Sequence, residues 1–362
     1  MNSAASGLAR FVALAYTLVI VFASLQPFTG WRMPPDAVLG FLTAPWPRYV
    51  TTGDVLLNVI AYLPLGAMLF AALRPPLAPA TAFAAATLLA AALSLALESA
   101  QMFLPTRIAS NLDLLANSGG AALGALAAWL LALPALADNP LAALRRSAVR
   151  TDAIGDCGLI VIALWILIQC YQAPLALGGG DLREALRVTP LFAHTPQSYL
   201  LAETAAAALA TTAVGLLVAL LLQPRQPAVP AIALTFALAF AVKSTAAVTL
   251  ARSAHWLQWL TPGVATGFAA GVVLLAVLLR FACVGRAAGA ALCIAAGAAI
   301  VNAAPENPYQ TVPAFMLSPQ PTHLVNFSNI VRVLSQAWPL AAVILLLALA
   351  RTPGDARRSG KL

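Results

Sequence analysis

Apolar runs recur from one end of this 362-residue chain to the other. Each is near 20 residues, the length at which a helix crosses a bilayer core of roughly 30 Å. Hydrophobic residues make up 61% of the chain and charged residues 9%, against about 45–50% and about 25% in soluble domains. A water-soluble fold of this size cannot hide that much apolar surface. The runs are too long for barrel strands, and a helix satisfies its own backbone in lipid. The expected fold class is therefore all-α, a polytopic transmembrane helix bundle. Ten spans are expected, at roughly 11–28, 54–73, 79–101, 111–133, 157–177, 198–222, 229–250, 257–280, 287–304 and 329–350.

Basic residues give the expected orientation. Starting from a cytoplasmic N-terminus, the inner segments carry Arg10, Arg74, Arg145, Arg146, Arg150, Arg225, Arg280, Arg286, Arg351, Arg357, Arg358 and Lys361. The outer segments carry only Arg32, Arg48, Arg107, Arg183, Arg187 and Arg252. The positive-inside rule then places both termini in the cytoplasm, which an even number of spans also requires. Although the net charge is +8, the arginines are scattered and form no patch, which argues against a nucleic-acid partner. Cys157, Cys170, Cys283 and Cys293 lie in or beside apolar runs without metal or redox spacing, and read as packing residues. His194, His255 and His323 lack a second ligand at metal spacing. No metal and no cofactor are expected.

At an offset of about 145 residues, spans two to four fall on spans six to eight. Ser99 meets Ser244, Arg107 meets Arg252, and Leu112 meets Leu257. The expected organisation is a four-helix unit at 10–133, a cytoplasmic linker at 134–156 and a degenerate second four-helix unit at 157–280. Two further helices at 281–350 enclose an outer loop at 305–328, and a cytoplasmic tail follows at 351–362. Units of four spans would be related by an axis along the membrane normal.

Polar residues inside apolar runs are the informative ones, since a charge at mid-bilayer costs about 2.5–3.5 kcal/mol on insertion scales. Span two opens with Asp54 and Asn58, span three ends with Ser94, Glu98 and Gln101, and span four opens with Asp113 and Asn117. Helical spacing puts each group on one face. The topology puts Asn58, Glu98, Gln101, Asp113 and Asn117, with Arg107 in the intervening turn, in the outer part of the membrane or at its outer surface. Two readings stand. The cluster is a site, with Glu98 and Arg107 as its chemically active pair and Asn58, Gln101, Asp113 and Asn117 as ligand-binding groups. Alternatively, the amides and Asp113 cap and register helices, Arg107 neutralises Glu98 or Asp113, and Gly119, Gly120 and Gly124 allow close packing. In the second half, Glu203 and Lys243 take the places of Asn58 and Glu98 and are expected to form a structural ion pair.

The runs DVLLNVIAYLPLGAMLF and LSLALESAQMFLPTRIASNLDLLANSGGAALGA resemble the VanZ-like family of bacterial membrane proteins. Asn58, Pro64, Gly66, Glu98, Gln101, Arg107, Asp113, Asn117, Gly120 and Gly124 carry the resemblance, which covers about residues 10–133. It implies a bacterial cytoplasmic membrane and a role at its outer surface, since the family is named for a protein of teicoplanin resistance. The partner it suggests is a membrane lipid or lipid-linked envelope precursor. Arg107 would hold an anionic headgroup, Glu98 would serve as acid, base or acceptor, and Asn58, Asp113 and Asn117 would orient it. A non-catalytic envelope factor is the leading expectation, one that affects susceptibility to glycopeptide or lipophilic antibiotics. A transporter or flippase is the alternative, and an enzyme acting on a lipid-linked substrate is the third reading.

Overall fold

The computed structural model describes residues 3–351 apart from 26–27, 35–36, 47–51, 75, 133–143, 146, 172, 174, 184–188, 192, 225, 250–254 and 306–321. Most of the expected 305–328 loop, the 351–362 tail beyond Arg351, and Arg252 therefore lie outside the described residues.

Ten helices follow one another among the described residues. They are α1 (Ser3–Leu25), α2 (Thr52–Leu73), α3 (Pro79–Gln101), α4 (Asn111–Leu131), α5 (Ala153–Ile168), α6 (Pro196–Leu221), α7 (Ala228–Thr249), α8 (Pro262–Leu278), α9 (Cys283–Ala303) and α10 (Thr322–Arg351). Seven contain stretches long and apolar enough to cross a membrane, while Val12–Leu25, Ala153–Ile168 and Pro262–Leu278 are shorter apolar helices. Their starts are chemically specified. Ser110, Asp152, Thr195 and Thr261 accept N–H bonds from the first turns of α4, α5, α6 and α8. Proline opens α3, α6 and α8, where its missing N–H costs nothing. At α5 the Arg150 guanidinium binds the capping Asp152 carboxylate and holds its pKa below the ordinary value.

The chain divides into two compact units, residues 1–145 with 325–330 and residues 146–324 with 331–362. Thus α9 and most of α10 belong with α5–α8 rather than standing apart from them.

In the first unit, α4 packs along α2 and α3, and α1 lies against α2. Packing is through small residues. Ala82, Ala86, Ala90, Ala121 and Ala125 are fully buried, whereas Leu14, Leu18, Leu56, Leu88, Leu89 and Leu123 are exposed. In water that outward leucine surface would drive aggregation. In lipid it costs nothing, and close backbone approach supplies the cohesion. At Gly66, Gly120 and Gly124 an added Cβ would run into the backbone of Ala121, Val59 and Leu63 respectively. Gly119 has nothing within 4 Å of where its Cβ would be. Of the three expected packing glycines on α4, it alone plays no such part, because it points away from α2.

The second unit contains the same relation between its helices. The partner that α6 contacts most is α8, with Gly267 and Gly271 against the backbone of Thr204 and Ala208. An isolated antiparallel bridge between Val149 and Leu222 ties the entry of α5 to the exit of α6.

The expected fifth span, 157–177, is cut short. Helix α5 ends at Ile168, and Leu175–Leu177 are buried in non-helical conformation. The backbone freedom of Gly178, Gly179 and Gly180 disfavours continuing the helix. This segment instead completes α10. Pro339 inside α10 has no N–H for the Ser335 carbonyl, and Gly180, at φ +81°, donates its own N–H there at 2.9 Å. Asn302 of α9 fixes the same segment. Its side chain donates to the Gly180 carbonyl at 2.7 Å and accepts from Leu182 N–H at 2.9 Å.

Candidate functional site

The polar residues of the first unit gather where the ends of α1 and α3 meet the starts of α2 and α4. Helix α3 carries Ser94 and Glu98 one turn apart, both buried, with Glu98 only 4% exposed. The Glu98 carboxylate accepts the backbone N–H of Ser110 at 2.9 Å. Ser110 is the N-cap of α4, its hydroxyl accepting from Leu112 and Asp113 N–H at 3.2 and 3.3 Å. Glu98 therefore anchors the residue that starts the next helix. Replacing Ser110 by alanine removes the cap and should lower stability by about 1 kcal/mol, read as a lower unfolding midpoint in detergent. An unchanged midpoint would show that the cap contributes nothing.

Two side-chain bonds cross between helices. Asn58 of α2 donates to the Asp113 carboxylate at 2.8 Å. One level deeper, Asn117 of α4 donates to the Ser94 hydroxyl at 2.9 Å, near Tyr62 of α2. Asn117 is 5% exposed, and its buried Oδ1 has no hydrogen-bond partner among the described residues. Gln101 donates to the Ser24 carbonyl at 3.1 Å, and Arg107 to the Ala23 carbonyl at 3.0 Å. Both close the C-terminal end of α1, where free carbonyls and the helix dipole favour donors and positive charge. Partial burial of Arg107 draws its pKa down from the usual value.

The structure thus brings Asn58 to Asp113, Glu98 to the Ser110 backbone, and Asn117 to Ser94 one turn from Glu98. It does not pair Glu98 with Arg107. Among the described residues Glu98 has no cationic partner, since the turn directs Arg107 toward α1 and presents a backbone N–H to the carboxylate instead. The side chain of Asp54 lies outside the described residues. Tyr62 and Ser110 are members that sequence reasoning passed over. Tyr62 sits one helical turn after Asn58 on the same face, and Ser110 precedes an apolar run as N-caps do. Both signals were legible.

The surround of this end is apolar and outward-facing. Trp31, Met33, Trp46 and Ile108 are exposed, Ile108 to 86%, on the segment after α1 and the turn before α4. The first of these segments is tied down by Arg32 N–H on the Phe103 carbonyl and by Asn111 on the Ala44 carbonyl. Exposed tryptophan and aliphatic side chains around a polar cluster are the dress of a membrane–water interface.

In the second unit the expected Glu203–Lys243 ion pair is not formed. Glu203 lies over Gly263, beside Thr261 at the cap of α8. Lys243 donates to the Tyr171 carbonyl at 3.4 Å, just beyond the end of α5. Each charge is drawn to the nearer helix terminus, and α6 and α7 have little mutual contact. Among the described residues no group of three or more His, Cys, Asp or Glu could hold a metal ion.

No curated protein and no solved structure matches the chain. Residues 7–132 match the family model described as VanZ/LLP1, a stretch that contains every member of the first-unit cluster and coincides with the resemblance carried by Asn58, Glu98, Arg107 and Asp113. Residues 7–132 are thus similar to the VanZ/LLP1 family, within a chain whose seven long apolar helices suit a multi-pass membrane protein.

Proposed function

We propose that the first unit binds the headgroup of a membrane lipid or lipid-linked glycan at the outer face of a bacterial cytoplasmic membrane. One observation carries this reading. Among the described residues a buried carboxylate without a cationic partner, Glu98, lies one helical turn from Ser94, which is bonded by Asn117, whose buried amide oxygen has no hydrogen-bond partner there. Such acceptors are costly to leave unmet, and the hydroxyl or ammonium donors of a headgroup would meet them. Arg107 stands at the same end to hold a phosphate, a guanidinium suiting that role by its fork of donors. The exposed Trp31, Trp46 and Ile108 would set this end at headgroup depth. Sequestering an envelope lipid there would alter susceptibility to antibiotics that act on that surface.

The test is to purify the full chain in native-lipid particles and identify the retained lipids by mass spectrometry. Glu98→Gln keeps an oxygen for Ser110 N–H and so keeps the fold. A lipid species enriched in wild type should fall at least tenfold in Glu98→Gln and in Arg107→Ala. The same bulk lipid in all three samples would overturn the proposal and leave the cluster as helix-packing glue.

A further inference from the structure

Lys243 is a second buried charge that the VanZ-like unit does not use. It lies in α7 of the second unit and is 2% exposed. Its only hydrogen bond is the long one to the Tyr171 carbonyl, 3.4 Å, so two of its three N–H donors have no acceptor among the described residues. It has no carboxylate partner there either, Glu203 standing beside Thr261. An ammonium held in an apolar interior without a counter-charge is strongly unfavourable. The end of α5 supplies one carbonyl and the negative end of a helix dipole, which offset only part of that cost.

The setting of Lys243 indicates what would supply the rest. Phe236 and Phe240 precede it by seven and three residues and share its helix face. Phe240 stacks on Trp259 at 5.1 Å, and Phe236 meets Trp165 at 5.4 Å. The cation therefore stands at the end of an aromatic wall. We infer that Lys243 and this wall form a site for an amphiphilic anion, with a single carboxylate or phosphate on the ammonium and an apolar tail along the half-buried Phe240. Phe236 itself is enclosed by Trp165, Phe240 and Phe268. The site is independent of the headgroup reading for the first unit, which involves none of these residues.

Cys170 is next to Tyr171 and half-buried, so it reports on occupancy. In the full chain with Cys157, Cys283 and Cys293 changed to serine, maleimide labelling of Cys170 is followed in neutral detergent. Dodecyl phosphate, dodecanol and inorganic phosphate are the probes, and thermal unfolding is recorded in parallel. Dodecyl phosphate should slow labelling about tenfold and raise the unfolding midpoint. Lys243→Arg should retain both effects and Lys243→Met should lose both, while dodecanol has neither. Equal protection in Lys243→Met, or by dodecanol, would overturn the site. So would the absence of both effects in the unsubstituted Lys243 protein. Inorganic phosphate matching dodecyl phosphate would overturn the amphiphile in favour of a free anion.

Discussion

Gly124→Leu should leave almost no folded first unit, while Gly119→Leu, five residues earlier on the same helix, should fold normally. At Gly124 the added Cβ meets the Leu63 carbonyl and would lie 3.1 Å from the Ala67 nitrogen. These are backbone atoms of the facing helix and cannot swing aside as a side chain end would. The two helices would have to separate, undoing the Gly66 and Gly120 contacts and pulling Asn58 from Asp113. A loss on the order of 4 kcal/mol or more is expected, the range reserved for core overpacking without relief. Gly119 faces open space, and leucine there gains helix propensity of up to about 1 kcal/mol. Size-exclusion profiles of the two variants in mild detergent would decide. A monodisperse Gly124→Leu peak equal to that of Gly119→Leu would show that α2 and α4 do not approach as described.

Asn302→Leu should be the most damaging single change in the second unit. It strands the Leu182 N–H and the Gly180 carbonyl, which the Asn302 side chain satisfies at 2.9 and 2.7 Å. Each buried orphan costs about 1–3 kcal/mol, so a loss of roughly 3 kcal/mol is expected. The effect should spread, because Gly180 in turn satisfies the Ser335 carbonyl that Pro339 leaves without a donor. Asn302→Asp keeps the acceptor for Leu182 but loses both donors, and should fall between wild type and leucine. Thermal unfolding midpoints in that order are the expected result. A leucine variant as stable as wild type would mean the 175–183 segment is held by its apolar contacts alone.

Several features needed nothing beyond the chain. Helical class, the approximate places of the helices apart from the shortened fifth, and the shared faces of Asn58 with Tyr62 or Ser94 with Glu98 all follow from periodicity and composition, which are local. The starts of α4, α6 and α8 follow from Ser110, Thr195 and Thr261, because a cap acts within its own first turn. The VanZ-like stretch was legible because polar residues in apolar spans are rare enough for their spacing to be distinctive.

Pairing was not legible, because it depends on distances between elements far apart in sequence. Opposite charges near one level suggested Glu98 with Arg107 and Glu203 with Lys243. Tertiary structure gave each a nearer neighbour at a helix end: Ser110 N–H, the Ala23 carbonyl, the Thr261 side chain and the Tyr171 carbonyl. In lipid, an unmet backbone group at a helix terminus competes strongly for any charged side chain, and sequence spacing does not reveal which terminus is adjacent. The same limit hid the role of residues 175–183. Their glycines announced a break in the helix, but only the fold could bring Gly180 to the carbonyl that Pro339, 159 residues later, leaves open. The sequence alone determined which segments are helical and which polar residues lie among them; three-dimensional packing decided which of those groups meet.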